Sequence, residues 1–180
     1  MTKCSKQALR RHYRAARQAF AASLSLAERD TLERALAAIV MPLLTACQRP
    51  ASYVAMPEEI SPRFIAATVL PRVTGGALTF HDGTGPALIP GFAGIREPRA
   101  DAPRVTPDLL LVPLVAITPA GVRLGQGKGY YDRFLAAHPV RTIALAWDVQ
   151  IAGTLPTDPW DIAMDYIATP TRLFDCANPR

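Results

Sequence analysis

No uninterrupted apolar run in this chain reaches the roughly 18 residues of a membrane span, so a membrane-embedded protein is not expected. Cysteine is scarce. Cys4, Cys47 and Cys176 are odd in number and far apart, which excludes a disulfide framework and the close pairing of a structural zinc site. A reducing cytoplasm is the expected setting. The start is basic, but no apolar segment follows as in a secretory signal. Acids are missing from the start altogether. Lys3, Lys6, Arg10, Arg11, Arg14 and Arg17 all precede the first acid, Glu28, and carry much of the net charge of +5. That block implies an anionic partner: a nucleotide, a polyanionic small molecule, nucleic acid or a membrane surface.

What is present suits one folded domain. The chain has 180 residues and a 49% hydrophobic fraction, ordinary for a globular core. No repeat or low-complexity segment interrupts it. Residues 5–21 have helical periodicity, with Leu9, Tyr13, Ala16 and Phe20 on one narrow apolar stripe. Lys6, Arg10, Arg14 and Arg17 form a second stripe beside it, placed either to overhang a cleft or to face solvent. A detachable targeting peptide would not need the packing stripe. Ser25 and Glu28 make a capping box that starts a second helix through Leu32, Leu36, Ile39, Val40 and Leu43, which Pro42 ends or kinks. The two helices form an N-terminal helical hairpin.

Residues 51–55 read as a short buried strand, with Glu59 just beyond its carboxyl end. Ser61 and Pro62 resemble the cap and first residue of a third helix running to Leu70. Residues 77–81 form another strand. From 82 to 107 the chain is rich in Gly and Pro, a long excursion with one short strand at 87–89 and the character of a lid. The apolar run 108–118 is the strongest strand, suited to a parallel sheet buried on both faces, with Pro113 marking a bulge or an early end. Residues 142–147 give the next strand, with Asp148 and Gln150 expected to face the crevice at its carboxyl end. A short strand at 166–169 closes the pattern. The architecture is α/β: a three-layer α/β/α sandwich on a Rossmann-like, mostly parallel sheet, in a single domain over 1–180.

Between the strong strand and a helix from Tyr130 to Ala137 lies R-L-G-Q-G-K-G-Y-Y-D, residues 123–132. Gly125, Gly127 and Gly129 alternate with Gln126 and Lys128. A glycine-rich turn that enters a helix N-terminus offers free N–H groups and the positive dipole end to phosphate. The spacing is neither the P-loop nor the dinucleotide fingerprint. A tight strand–helix turn that needs glycine sterically would look the same.

With that loop so placed, the chain resembles the 5-formyltetrahydrofolate cyclo-ligase family, also called 5,10-methenyltetrahydrofolate synthetases. V-P-L-V-A before the loop and R-L-G-Q-G-K-G-Y-Y-D-R-F-L through it carry the resemblance. Lys6 and Arg10 form its K-x-x-x-R start. Glu59-Ile60, Gly94-Ile95-Arg96-Glu97-Pro98, Gln150, Asp161, Met164-Asp165 and Thr169-Pro170 follow in order. The chain departs from the family at Ser61-Pro62 and Trp160, and differs from many members at Gln126 and Lys128.

The resemblance implies a Rossmann-like fold and an ATP- and magnesium-dependent ligase. Its reaction cyclises 5-formyltetrahydrofolate to 5,10-methenyltetrahydrofolate, ADP and phosphate through a phosphorylated formyl group. By that match, Lys6, Arg10, Arg123, Leu124, Gly125, Gln126, Gly127, Lys128, Gly129, Tyr130 and Tyr131 would bind ATP, with Lys128 and Arg123 as the catalytic charges. Val54 and Glu59, together with Gln126, Gly127, Lys128, Gly129 and Tyr130, would bind the folate. Asp132 and Asp161 would hold Mg2+, although Asp132 would also suit the helix dipole as a plain first-turn acid. The expected partners are the folate, with or without a polyglutamate tail, and ATP. A cytoplasmic monomer without nucleic-acid or membrane partners is expected. A non-catalytic RNA- or nucleotide-binding module would use the same basic helix, but lacks an evident aromatic platform. A sugar-phosphate isomerase or CoA transferase would need an activated base or nucleophile instead.

Overall fold

A computed structural model describes residues 5–85 and 87–177; Lys3 and Cys4 of the readings above lie outside them. Helix α1 (Lys6–Ser23) is capped by Ser5, whose side chain accepts from the Ala8 amide. Helix α2 (Leu26–Leu44) starts at the expected capping box: Ser25 and Glu28 each accept from the other's amide. Pro42 does not end it. The proline falls in the last turn, where one missing hydrogen bond is outweighed by burying Leu44 in the core.

The chain then forms β1 (Pro50–Ala51), β2 (Val69–Thr74) and β3 (Ala77–Asp82). The ladder at β1 is shorter than residues 51–55, although Ala51, Ser52 and Tyr53 are all buried. The expected helix from Ser61 to Leu70 is absent. Pro62 closes only a single turn, through its carbonyl to the Ile65 amide, and Ser61 gives its own amide to the Glu33 carboxylate. Ile60 and Ile65 pack into the core beside α2, and Val69 is already paired with Ala51. Tertiary packing overrides the local cap signal there.

The excursion 82–107 is tied back to the sheet. It holds β4 (Ile89–Pro90), a short 3-10 turn (Phe92–Gly94) and β5 (Arg96–Glu97), paired as a small hairpin. Buried Glu97 accepts from the Val73 amide and pairs with Arg72 at 3.0 Å. The strand at β4 lies slightly later than 87–89.

The strong apolar run becomes β6 (Leu109–Val112), ended by Pro113, followed by β7 (Ala116–Ile117). Strand β7 pairs antiparallel with β8 (Arg123–Leu124), the first residues of the glycine segment. Helix α3 (Tyr130–Ala137) has the expected bounds. Strands β9 (Arg141–Leu145) and β10 (Tyr166–Ala168) follow, and β11 (Leu173–Asp175) adds an antiparallel edge that the terminal sequence does not announce.

The main sheet runs β11-β10-β9-β6-β1-β2-β3. Its five central strands are parallel and both edge pairs are antiparallel. Leu109, Leu111, Ile143 and Leu145 face α2, while Leu110, Val112 and Ala144 face Leu135 of α3. Strand alternation therefore feeds two cores and makes the three layers. From β1 the chain moves first to β2 and then to β6 on the opposite side. That reversal is a topological switch point, and crevices open outside the carboxyl ends of strands at such points.

Buried Glu33 of α2 pins the helix-free segment. It accepts from Arg29, from Arg63 and from the Ser61 amide. Glu33→Ala leaves that amide unpaired, although both arginines can still reach water. A stability loss of about 1–3 kcal/mol by urea denaturation is expected. A loss under about 0.5 kcal/mol would contradict this role.

Candidate active site

Helix α1 lies across the switch point, and its basic row is the wall of a crevice. Arg17 is only 1% exposed. Its Nη1 donates to Glu59 Oε1 at 3.0 Å and to the Leu114 carbonyl at 3.1 Å, and its Nη2 to Glu58 Oε1 at 2.8 Å. These partners follow β1 and β6, the two strands that flank the reversal. One turn earlier, Arg14 Nη2 donates to Gln126 Oε1 at 2.6 Å. Another turn back, Arg10 Nε donates to the Gly125 carbonyl at 2.9 Å. At the N-terminal end, Lys6 Nζ bridges Asp158 and Asp161 at 2.7 and 2.5 Å. The spacing that read as a basic stripe is thus a row of contacts to the carboxyl edge.

The glycine segment lies opposite. Gly127 has φ +99° and Gly129 φ +64°, both in the left-handed region. A Cβ on Gly127 would also stand 3.3 Å from Arg10 Cζ. Gly129 is the N-cap of α3 and has no side chain to satisfy the first amides of that helix, which open toward the crevice. Lys128 is exposed on the crevice wall, and its carbonyl accepts from Arg133. Arg123 Nη2 donates to Asp132 Oδ1 at 2.7 Å, while its Nε is buried without a partner. Leu124 turns its side chain into a small core with Leu9 and Tyr13.

The resulting cleft encloses about 850 Å³. It is lined by every residue singled out above for ATP, folate or Mg2+, from Lys6 and Val54 to Asp132 and Asp161. Arg14, Tyr53, Phe92, Asp158 and Trp160 line it as well. Of these, Arg14 is visible in the basic stripe and Trp160 as a departure from the family; Tyr53, Phe92 and Asp158 are brought in by the fold. A second cavity of about 600 Å³ lies at the opposite, amino ends of β1 and β2, where neither the basic row nor the glycine segment reaches.

Two expected crevice residues turn away. Gln150 is buried and donates to the carbonyls of Leu114 and Val115, holding the backbone after β6. Asp148 Oδ1 accepts from the hydroxyls of Thr169 and Thr171. Gln150 thereby fixes the backbone beside Pro113, a cleft-lining residue, whereas Asp148 fixes the loop after β10, which does not line the cleft.

The titratable groups differ along the cleft. Burial raises the Glu59 carboxyl above its ordinary range, against the opposing pull of the Met56 amide and Arg17. Burial also pushes up the phenols of Tyr53 and Tyr131. At the other end, burial would raise Asp161, but Lys6 and the Asp158 amide outweigh it and hold the carboxyl low. Lys6 is raised in turn: burial opposes its charge, and its two carboxylates prevail.

Asp132 and Asp161 supply hard oxygen donors. The described bonds engage Oδ1 of one and Oδ2 of the other. Among the described residues no cluster of three or more His, Cys, Asp or Glu could cage a metal ion. The set fits a magnesium ion completed by phosphate oxygens and water, and does not fit an all-protein site.

Fold and cleft together define a doubly wound α/β protein with a crevice at its switch point walled by a row of cations. The model of the 5-formyltetrahydrofolate cyclo-ligase family matches residues 83–170. The 5-formyltetrahydrofolate cyclo-ligase of Escherichia coli strain K12 is 36% identical over 88 residues, 45% of this chain and 48% of that protein. The Mycolicibacterium smegmatis cyclo-ligase is 38% identical over 91 residues, 47% of each. The match therefore spans about half the length of these curated relatives. The NMR structure of Aquifex aeolicus 5,10-methenyltetrahydrofolate synthetase superposes with a TM-score of 0.81 at 30% identity, covering 97% of this chain and 94% of that one. The chain belongs to the 5-formyltetrahydrofolate cyclo-ligase family.

The Lys6–Asp161 pair gives a titration that can be checked. A carboxyl whose pKa is lowered in the fold contributes stability that is present above its unfolded value and lost as pH falls through the folded value. Lys6→Met removes the main stabilising partner. The Asp161 titration, followed by carboxyl-carbon NMR, is expected to move upward. An unchanged titration would show that Lys6 does not hold this carboxylate in solution.

Proposed function

We propose that this protein is an ATP- and Mg2+-dependent 5-formyltetrahydrofolate cyclo-ligase. The observation that carries this reading is the polarity of one cleft. Lys6, Arg10, the uncapped start of α3 and two carboxylates stand toward one end, and the buried Glu59, paired with Arg17, stands at the other. The family membership and the names of its relatives support the same substrate.

The chemistry fits that polarity. The formyl oxygen of 5-formyltetrahydrofolate attacks the γ-phosphorus of ATP, and ADP leaves. The carbon becomes the electrophilic centre of an iminium phosphate. Nitrogen-10 adds to it, loses its proton, and the C–O bond breaks to release phosphate. Such phosphoryl transfer asks for positioning and charge neutralisation rather than a protein nucleophile.

Lys6, Arg10 and the segment Arg123 to Tyr131 would hold the phosphates. Lys128, the exposed cation of the loop, would counter charge that builds up during transfer. Arg123 is mostly committed to Asp132, so its part is to orient that carboxylate beside the phosphates. Asp132 and Asp161 would hold Mg2+, which when bound neutralises phosphate oxygens. Val54 and Glu59 would line the folate end, with the Glu59 carboxylate accepting from the amino-pyrimidine edge of the pterin. Gln126, bonded to both Arg14 and Glu59, would meet both substrates. The tip at Phe92, which packs edge-on against Tyr130 at 5.5 Å, would close over the reactive intermediate and keep water out. The protein would act as a cytoplasmic monomer.

Mixing the protein with 5-formyltetrahydrofolate, Mg2+ and ATP should produce the methenyl chromophore. Lys128→Ala should lower kcat by about 100-fold or more. Asp132→Ala should abolish turnover at ordinary Mg2+ while remaining folded by circular dichroism. Absence of ATP-dependent product from the wild-type protein would overturn the proposal.

A further inference from the structure

One large aromatic side chain of the cleft is left open to solvent without an evident packing role. Trp160 is 69% exposed, whereas the other tryptophan, Trp147, is fully buried against Phe20. Trp160 is also held in place. It sits in a turn whose Asp161 amide donates to the Asp158 carbonyl at 3.0 Å, with Pro159 at the second position of the turn. Asp161 Oδ2 accepts from the Asp158 amide at 2.8 Å, and Lys6 bridges the two aspartates across the turn. The indole therefore stands on a braced backbone at the rim of the cleft.

Its position along the cleft says which ligand it meets. At about 1.5 Å of rise per residue, Lys6 and Arg17 lie roughly 16 Å apart along α1. Arg17 marks the Glu59 end. Lys6, Asp158 and Asp161 mark the opposite end, where the phosphates and the ion would be held. An extended nucleotide with its terminal phosphate toward the middle of the cleft must carry its base outward, past Asp161. Trp160 is the exposed aromatic residue beside that exit.

We propose that Trp160 is the stacking platform for the purine base of the nucleotide. This rests on the nucleotide reading of the cleft. Lys6 takes Oδ2 of both aspartates and Pro159 offers no donor, so the indole face is the largest surface the turn presents to a base. Recognition is therefore by the face of the base, and tolerant of its identity. Adenine and guanine nucleotides should share the site.

Tryptophan emission tests this directly, because only Trp160 is accessible. MgATP and MgGTP are expected to quench it in parallel, whereas inorganic tripolyphosphate is not. Trp160→Ala should raise KM for ATP roughly tenfold without a matching rise for the folate, and Trp160→Phe should recover most of that loss. Unquenched emission, with calorimetric ATP affinity unchanged in Trp160→Ala, would overturn the platform and leave the nucleotide reading standing. Quenching by 5-formyltetrahydrofolate alone would assign the indole to the other substrate and overturn it too. No ATP binding by the wild-type protein would overturn the nucleotide reading and the platform with it.

Discussion

A guanidinium buried between two carboxylates is the constraint on which the rest of the site depends. Arg17 contacts Glu58, Glu59 and the Leu114 carbonyl, so it ties α1 to the loops after β1 and β6 at once. An unpaired charge there would be costly, which makes the register of α1 across the sheet edge nearly single-valued. With Arg17 fixed, helical spacing alone delivers Arg14, Arg10 and Lys6 to successive stations along the glycine segment and the Asp158–Asp161 turn. The same contact holds the buried Glu59 at the cleft wall. One ion pair thus sets both the cationic wall and the acceptor at its far end.

The glycine segment contributes a second element of order. It begins as a strand paired to β7 and ends as the uncapped start of α3, so its ends are held while the middle lacks side-chain bulk. Left-handed geometry favours glycine at 127 and 129, and at Gly127 Arg10 packs so close to the backbone that an added Cβ would have to push it back. Positively charged groups and the uncapped helix start then share one small volume, so that an anion, if bound there as proposed, would require little reorganisation. Arg123 and Asp132 neutralise each other beneath it, so the loop gains a carboxylate without losing its positive field.

Features made by near neighbours in the chain were legible in the sequence. The apolar run of β6, the capping box at Ser25, the bounds of α3 and the basic stripe all arise from local periodicity or local caps. Features that depend on distant partners were not. Arg17 looks like one more cation of a solvated face until Glu58 and Glu59 arrive from across the chain. Ser61-Pro62 carries a helix-start pattern, but Glu33 of α2 takes the Ser61 amide and Val69 is drawn into the sheet. Gln150 and Asp148 lie at a strand end as expected, yet unsatisfied carbonyls and hydroxyls nearby claim them first. Most candidate site residues were found because a glycine–lysine loop is a compact signal. Asp158 carries no such signal and Trp160 shows only as a departure from the family; the turn beside Lys6 brings both to the cleft.

Arg17 and Glu59 act as a coupled buried pair that fixes α1 over the cleft. Urea denaturation of Arg17→Met, Glu59→Gln and the double variant measures that coupling. Arg17→Met alone is expected to cost about 3–5 kcal/mol, because it removes the counter-ion of the buried Glu59 carboxylate. The double variant is expected to fall short of the sum of the single losses by at least about 1 kcal/mol. Losses that add to within about 0.5 kcal/mol would show the two residues to be energetically independent, and would contradict the account.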